Sequence, residues 1–174
     1  MIPDFDRYGH LPEGIYHPTL PTFKQRFVTD CNSSCTRKPI FSGYVRYCFE
    51  VNSLNFATLQ WIDGSYTTNK TDPSDIDLVT HIDGVRVGES MAYAEEIIRL
   101  VDEEYCKREY FCHPFFLPIF PQTDIRYPIT QRWLNYWSKW FGSSRENKKK
   151  GFIEFDISHS NFKESIDQEL GSEQ

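Results

Sequence analysis

No stretch of this sequence stays apolar for the roughly 20 residues that cross a bilayer. Its start, MIPDFDRYGH, lacks the basic residues and apolar run of a secretory signal. Neither a membrane partner nor export is expected, and the chain reads as cytoplasmic. Cysteine is sparse: Cys31, Cys35, Cys48, Cys106 and Cys112 make an odd number without C-x-x-C spacing, which argues against a disulfide framework and against a zinc ribbon. Cys106, Cys112 and His113 are the one cluster to weigh for a metal, and they fall short of four ligands with knuckle spacing. There is no G-x-x-x-x-G-K-[ST] and no G-x-S-x-G, so P-loop and serine-hydrolase chemistry are set aside. An excess of basic charge is also missing. With 25 acidic against 19 basic side chains and a formal charge of -6, the surface as a whole repels polyphosphate, and any nucleic-acid contact would be local.

What remains is a chain of 174 residues, 39% of them hydrophobic, enough for one compact core and too few for two comfortable domains. Pro3, Pro12, Pro18 and Pro21, with Gly9 and Gly14, make residues 1–21 an irregular N-terminal arm. Thr22 is a plausible N-cap for a short helix. Ile40, Tyr44, Tyr47, Cys48 and Val51 recur at three- and four-residue steps and predict a helix with one apolar face. Short β-rich runs predict strands over Thr58–Ile62, Ile76–Ile82 and Phe152–Ile157. A further strand, Tyr110–Phe120, carries Pro114 and Pro118 and belongs at an edge or a bulge. Helical periodicity runs from Ser90, a candidate cap, through Met91, Ala94, Ile98 and Val101 to Tyr105, and again from Pro128 to Phe141. Residues 161–174 are acidic and polar and read as a frayed helix or disordered tail. The expected fold is α+β: one domain over 1–160, with helices flanking a small mixed sheet.

Chemistry concentrates in WIDGSYTTNKTDPSDIDLVTHID, from Trp61 to Asp83. Asp75 and Asp77 are two positions apart at a predicted strand, so their carboxylates leave one face of the pleat and can share a cation. A pair of hard oxygen donors suits Mg²⁺, and without a cation the two charges repel and raise a pKa. Gly64 at a strand end lets backbone approach a ligand, and Ser65 offers N–H and O–H donors suited to a triphosphate, above all if a short helix begins there.

Gly64-Ser65, a spacer and Asp75-Ile76-Asp77 resemble the G-S-x(n)-D-x-D signature of the polymerase-β-like nucleotidyltransferase superfamily, which includes CCA-adding enzymes, aminoglycoside adenylyltransferases and MNT antitoxins. More widely, IPDFDRYGHLPEGIY, WIDGS with DPSDIDL, and KGFIEF resemble an uncharacterised bacterial family of stand-alone nucleotidyltransferase-like proteins over most of the chain. The resemblance implies a nucleotidyltransferase-like fold, Asp75 and Asp77 as catalytic Mg²⁺ ligands, and Gly64 and Ser65 as the grip on a nucleoside triphosphate such as ATP. It also implies transfer of a nucleoside monophosphate to a hydroxyl on a partner protein or a tRNA 3′ end. A toxin–antitoxin or phage-defence setting follows from the same likeness. Members carry a third acid on a following strand. The matching strand contains His113 instead, and Glu154 and Asp156 are the alternative acids. The same fold without chemistry, binding a nucleotide or a partner, is the competing expectation.

Other residues read more simply. Lys70 is a solvated loop lysine or a phosphate contact. Lys148, Lys149 and Lys150, with Arg145, form a solvated turn or a landing patch for an acidic partner. Trp133, Tyr136, Trp137, Trp140 and Phe141 are expected to be core, with some left as a partner-binding surface. With no second domain to hold the acceptor, a partner protein or a homodimer is expected to supply that surface. His81 reads as structural.

Overall fold

The computed structural model describes residues 1–89 and 94–172. The elements in chain order are β1 (Ile15–Tyr16), α1 (Leu20–Phe27), α2 (Arg37–Ser53), β2 (Ala57–Asp63) and β3 (Ile76–Asp83). These are followed by α3 (Gly84–Glu89), α4 (Ala94–Val101), α5 (Glu103–Tyr110), β4 (Cys112–Ile119), α6 (Tyr127–Phe141), β5 (Phe152–Asp156) and α7 (Ser160–Gly171). The five strands form one mixed sheet in the order β1-β5-β2-β3-β4. The β2 strand runs antiparallel to both neighbours, while β1 with β5 and β3 with β4 are parallel. The α+β expectation is thereby met.

Strand alternation sorts the side chains into two layers. One face carries Ile62, Ile76, Leu78, Ile82, Cys112, Ile153 and Phe155 against Ile40, Tyr44, Cys48 and Val51 of α2 and Phe23 and Phe27 of α1. The other carries Trp61, Val79, Leu117 and Phe152 against Trp137 and Phe141 of α6. Gln60 is buried in the first layer and stays satisfied, because Tyr44 Oη donates to it at 2.8 Å and its Nε2 reaches Thr80 Oγ1 at 2.9 Å.

Several boundaries differ from the sequence reading. Thr19, not Thr22, caps α1: its hydroxyl accepts the Thr22 N–H at 3.3 Å, and a proline fits the first turn. The helical period after residue 90 does not run on to Tyr105. Asp102, extended at ψ 112°, ends α4 and caps α5 by accepting the Tyr105 N–H at 2.7 Å, a stop signal that apolar spacing alone does not reveal. The cap proposed at Ser90, and Met91, lie outside the described residues. Tyr110 closes α5, and Phe111, left-handed at φ 54°, turns the chain into β4. With its two prolines, β4 is an edge strand as expected. The tail is no loose end up to residue 172: α7 lays Phe162 and Ile166 on the α2 layer, and Lys24 binds Glu169 at 2.6 Å. The arm is likewise ordered by burial of Leu11 and by the pairing of β1 with β5.

Ile166 is 1% exposed, so Ile166→Ala is expected to cost about 2–5 kcal/mol by cavity formation, read as a lowered denaturant midpoint with unchanged slope.

Candidate functional site

The site grows from strand register. Asp63 stands opposite Asp77, and Asp77 stands opposite His113, so three polar residues form one row across β2, β3 and β4. Trp61, Val79 and Phe115 fill the adjoining row. The row ends where α6 has ceased to need apolar strand residues, which leaves Asp77 and His113 partly open beside a dry aromatic layer.

Gly64 follows at φ +83° and ψ -162°, a backbone region essentially confined to glycine. The bend brings its backbone against the Asp77 carboxylate so closely that a Cβ there would overlap Oδ2. A short 3₁₀ turn over Ser65–Thr67 then begins, and among the described residues no protein group engages the Ser65 hydroxyl. The turn is held from behind by Arg37, the first residue of α2 and only 1% exposed. Its guanidinium donates to the carbonyls of Tyr66, Thr68 and Lys70, each at 2.7 Å, and of Phe27 at 3.2 Å. Periodicity gave no signal for this role, since a helix-starting arginine looks like a surface residue.

Asp75 lies one residue before β3, not inside the strand. Its Oδ2 is 3.3 Å from Lys107 Nζ, which also meets Glu103 Oε1 at 2.7 Å. Glu103 Oε2 lies 3.5 Å from His113 Nε2, and His113 Nδ1 is 3.0 Å from Asp77 Oδ1. The five side chains form an open chain of contacts, Asp75–Lys107–Glu103–His113–Asp77, that runs from the loop before β3 across α5 to β4 and back to β3. Burial holds Asp77 above the ordinary carboxylate range, the charge of Asp75 adds to the rise, and His113 pulls the other way. Gly64 is thus packed on Asp77, Ser65 opens the next turn, and His113 stands opposite Asp77 on β4, while Asp75 engages Lys107.

The alternative acids are committed elsewhere. Glu154 accepts from the Trp61 indole at 2.6 Å and meets His17 at 3.2 Å. Asp156 accepts from Ser158 and His159 ahead of α7. The Lys148–Lys150 turn is not solvated throughout. Lys150 is 7% exposed and places Nζ 2.5 Å from both oxygens of Asp63, while Lys149 pairs with Glu13 and Lys148 with Glu146. Burial pushes Asp63 up to about 7 against the pull of Lys150; the 2.5 Å contacts mark the two as a bonded pair. The Lys70 side chain is exposed, and its backbone is held, the carbonyl by Arg37 and the N–H by the Thr68 hydroxyl at 3.2 Å. His81 is buried against Trp61 at a ring separation of 4.7 Å, and burial pushes its pKa down to about 4, in keeping with a structural role. Cys48, Cys106 and Cys112 are buried thiols. Among the described residues no three His, Cys, Asp or Glu side chains form a ready-made metal cage. Two carboxylates left partly open nevertheless suit a cation that completes its shell with phosphate and water.

Two measurements check these electrostatics. Lys150→Met strands Asp63 as a buried charge and is expected to cost about 3–5 kcal/mol, most of it recovered in Asp63→Leu/Lys150→Met, as chemical denaturation would show. The raised pKa of Asp77 means that its charge destabilises the fold progressively as pH rises from the ordinary carboxylate value through the raised one. Asp77→Asn is therefore expected to raise the melting temperature at neutral pH. That gain should vanish on acidification, beginning above the usual carboxylate range.

The comparisons add a family and no activity. No curated protein matches the chain, and no solved structure matches it. A family described as a family of unknown function (DUF6932) matches residues 3–156, most of the sequence and the whole of the polar row. The chain belongs to that family.

Proposed function

We propose that this protein is a Mg²⁺-dependent nucleotidyltransferase that moves a nucleoside monophosphate from a nucleoside triphosphate, ATP foremost, to an acceptor hydroxyl. The observation that carries the reading is the packing of the Gly64-Ser65 bend directly onto the Asp77 carboxylate. Phosphate donors and cation ligands then serve one substrate. Asp75 and Asp77 would hold the cation, which when bound neutralises phosphate charge and aligns the leaving group. The missing Cβ of Gly64 makes room for the Asp77 carboxylate, and Ser65 would supply donors to the phosphates at the start of its turn. Arg37 fixes that turn, and Trp137 and Phe115 keep water from the sheet side of the row. His113 orients Asp77 through Nδ1. The acceptor is a partner protein or a tRNA end. The acidic surface favours the protein, and cytoplasmic toxin–antitoxin or phage-defence systems are settings in which such transfer is useful.

A second reading draws on Lys107 and His113. An ammonium on Asp75, and an imidazole where the superfamily resemblance places a carboxylate, support a protein that binds a nucleotide or a partner without chemistry.

Incubation with each α-labelled radioactive nucleoside triphosphate, Mg²⁺ and total cell extract separates the two. Transfer is expected in wild type and absent in Asp75→Ala/Asp77→Ala. Nucleotide binding by calorimetry with no label on any acceptor would establish the non-catalytic reading, and failure of both would overturn the site.

A further inference from the structure

The α6 helix has an apolar arc wider than its own sheet uses. Thr130, Trp137 and Phe141 are buried beneath it, yet Ile129 is 45%, Trp133 40%, Tyr136 46% and Trp140 62% exposed. These four recur at steps of four, three and four, the spacing of a helix–helix seam. Together they leave on the order of 450 Å² of side-chain surface open, taking aromatic side chains at about 150–250 Å² each. That is the size of the largest patch on a typical monomer, about 300–600 Å². Two copies would bury about 900 Å² in all, below the standard size and in the range of weak, reversible contacts.

We propose that this stripe is the two-fold contact of a homodimer in which α6 packs antiparallel on α6 of a second copy. The spacing is self-complementary in one register only. With the axis between Leu134 and Asn135, Ile129 meets Trp140 of the other copy at each end, and Trp133 meets Tyr136 of the other copy twice at the centre. Each end layer joins the smallest side chain of the stripe to the most exposed indole. Each central layer joins two aromatics, and all three aromatics are of types enriched at interface cores. Tyr136 and Trp140 are already stacked at 6.0 Å and 17° within one copy, and Trp133 packs edge-on to Tyr136 at 5.6 Å. The aromatic surface is preorganised, and ordering it on association costs little.

Charge separates a second copy from an acidic partner. The helix sequence YPITQRWLNYWSKWF contains no carboxylate, and Arg132 and Lys139 flank the seam. Two copies bring these like charges to one rim, so added salt strengthens the contact by screening them. An acidic peptide or a nucleic acid would bind more weakly as salt rises. The proposal does not depend on nucleotidyl transfer.

Sedimentation equilibrium over a micromolar concentration series tests it. Wild type is expected to show a monomer–dimer equilibrium that tightens with sodium chloride. Trp140→Glu is expected to loosen it by about thirtyfold or more, the loss of a hot-spot residue, with unchanged circular dichroism because the indole is mostly exposed. A wild-type monomer at every concentration, an unaffected Trp140→Glu dimer, or weakening by salt would each overturn the proposal. Register is read by oxidation in a Cys35→Ser background. An equimolar mixture of Ile129→Cys and Trp140→Cys proteins should form a linked pair that neither forms alone, and equal linkage of either variant alone would refute the antiparallel arrangement.

Discussion

The buried ion pair between Lys150 and Asp63 is the constraint on which the site depends. Asp63 and Asp77 sit opposite each other on antiparallel strands, and two carboxylates so placed repel. One of them is neutralised by a lysine from the far end of the sequence, at the entry to β5. The strand that completes the sheet also brings the cation that makes the β2–β3 register tolerable. Such a pair is weak evidence for stability and better evidence for specification, since the alternative registers would leave Asp63 charged and dry. It also frees Asp77 for another cation.

From this pair the polar row acquires its gradient. Asp63 is closed off and Asp77 is partly open at the row's centre, with His113 beyond it, while Asp75 lies outside the row beside Lys107. On the other side of the bend, Arg37 spends its donors on three carbonyls of the following turn. The glycine that touches Asp77 is thereby anchored on both sides, by strand pairing before it and by a buried guanidinium behind it. A ligand would meet a prepared surface there, which lowers the ordering cost of binding.

Much of this was legible from residue order. The proximity of Gly64 to Asp77 was implied by the resemblance alone, whereas the β2 and β3 strands, the α2 face and the Pro128 start of α6 follow from alternation, helical period and turn chemistry. These are local rules, and they held where burial agreed with them. The roles of Lys150 and Arg37 were not legible, because each is set by partners far away in sequence and each looks like a surface cation until a fold removes it from water. The Asp63 of WIDGS did carry a signal: it shares a strand face with the buried Trp61 and so needed a counter-charge. The aromatics of α6 were expected to divide between core and a partner-binding surface, and their spacing did not say which would go where. Apolar spacing marks a face as sticky without saying which neighbour it adheres to, and the sheet had room only for Trp137, Phe141 and their companions. The tail misled because Phe162 and Ile166 are two apolar residues in a polar run, enough to dock a helix once α2 supplies the groove.

The two prolines of β4 carry a last consequence. Ile76 donates to the carbonyl of Phe111, so residues 113, 115 and 117 turn their backbone groups toward β3 while 114, 116 and 118 turn theirs outward. Pro114 and Pro118 occupy outward positions, and the Pro118 carbonyl is already taken by the Thr130 hydroxyl at 2.9 Å. Over that span the rim of the sheet offers a single amide donor, from Phe116. A border so poor in donors cannot template another chain's strand, which guards an aromatic-rich protein against fibrous growth while its side chains stay available for recognition.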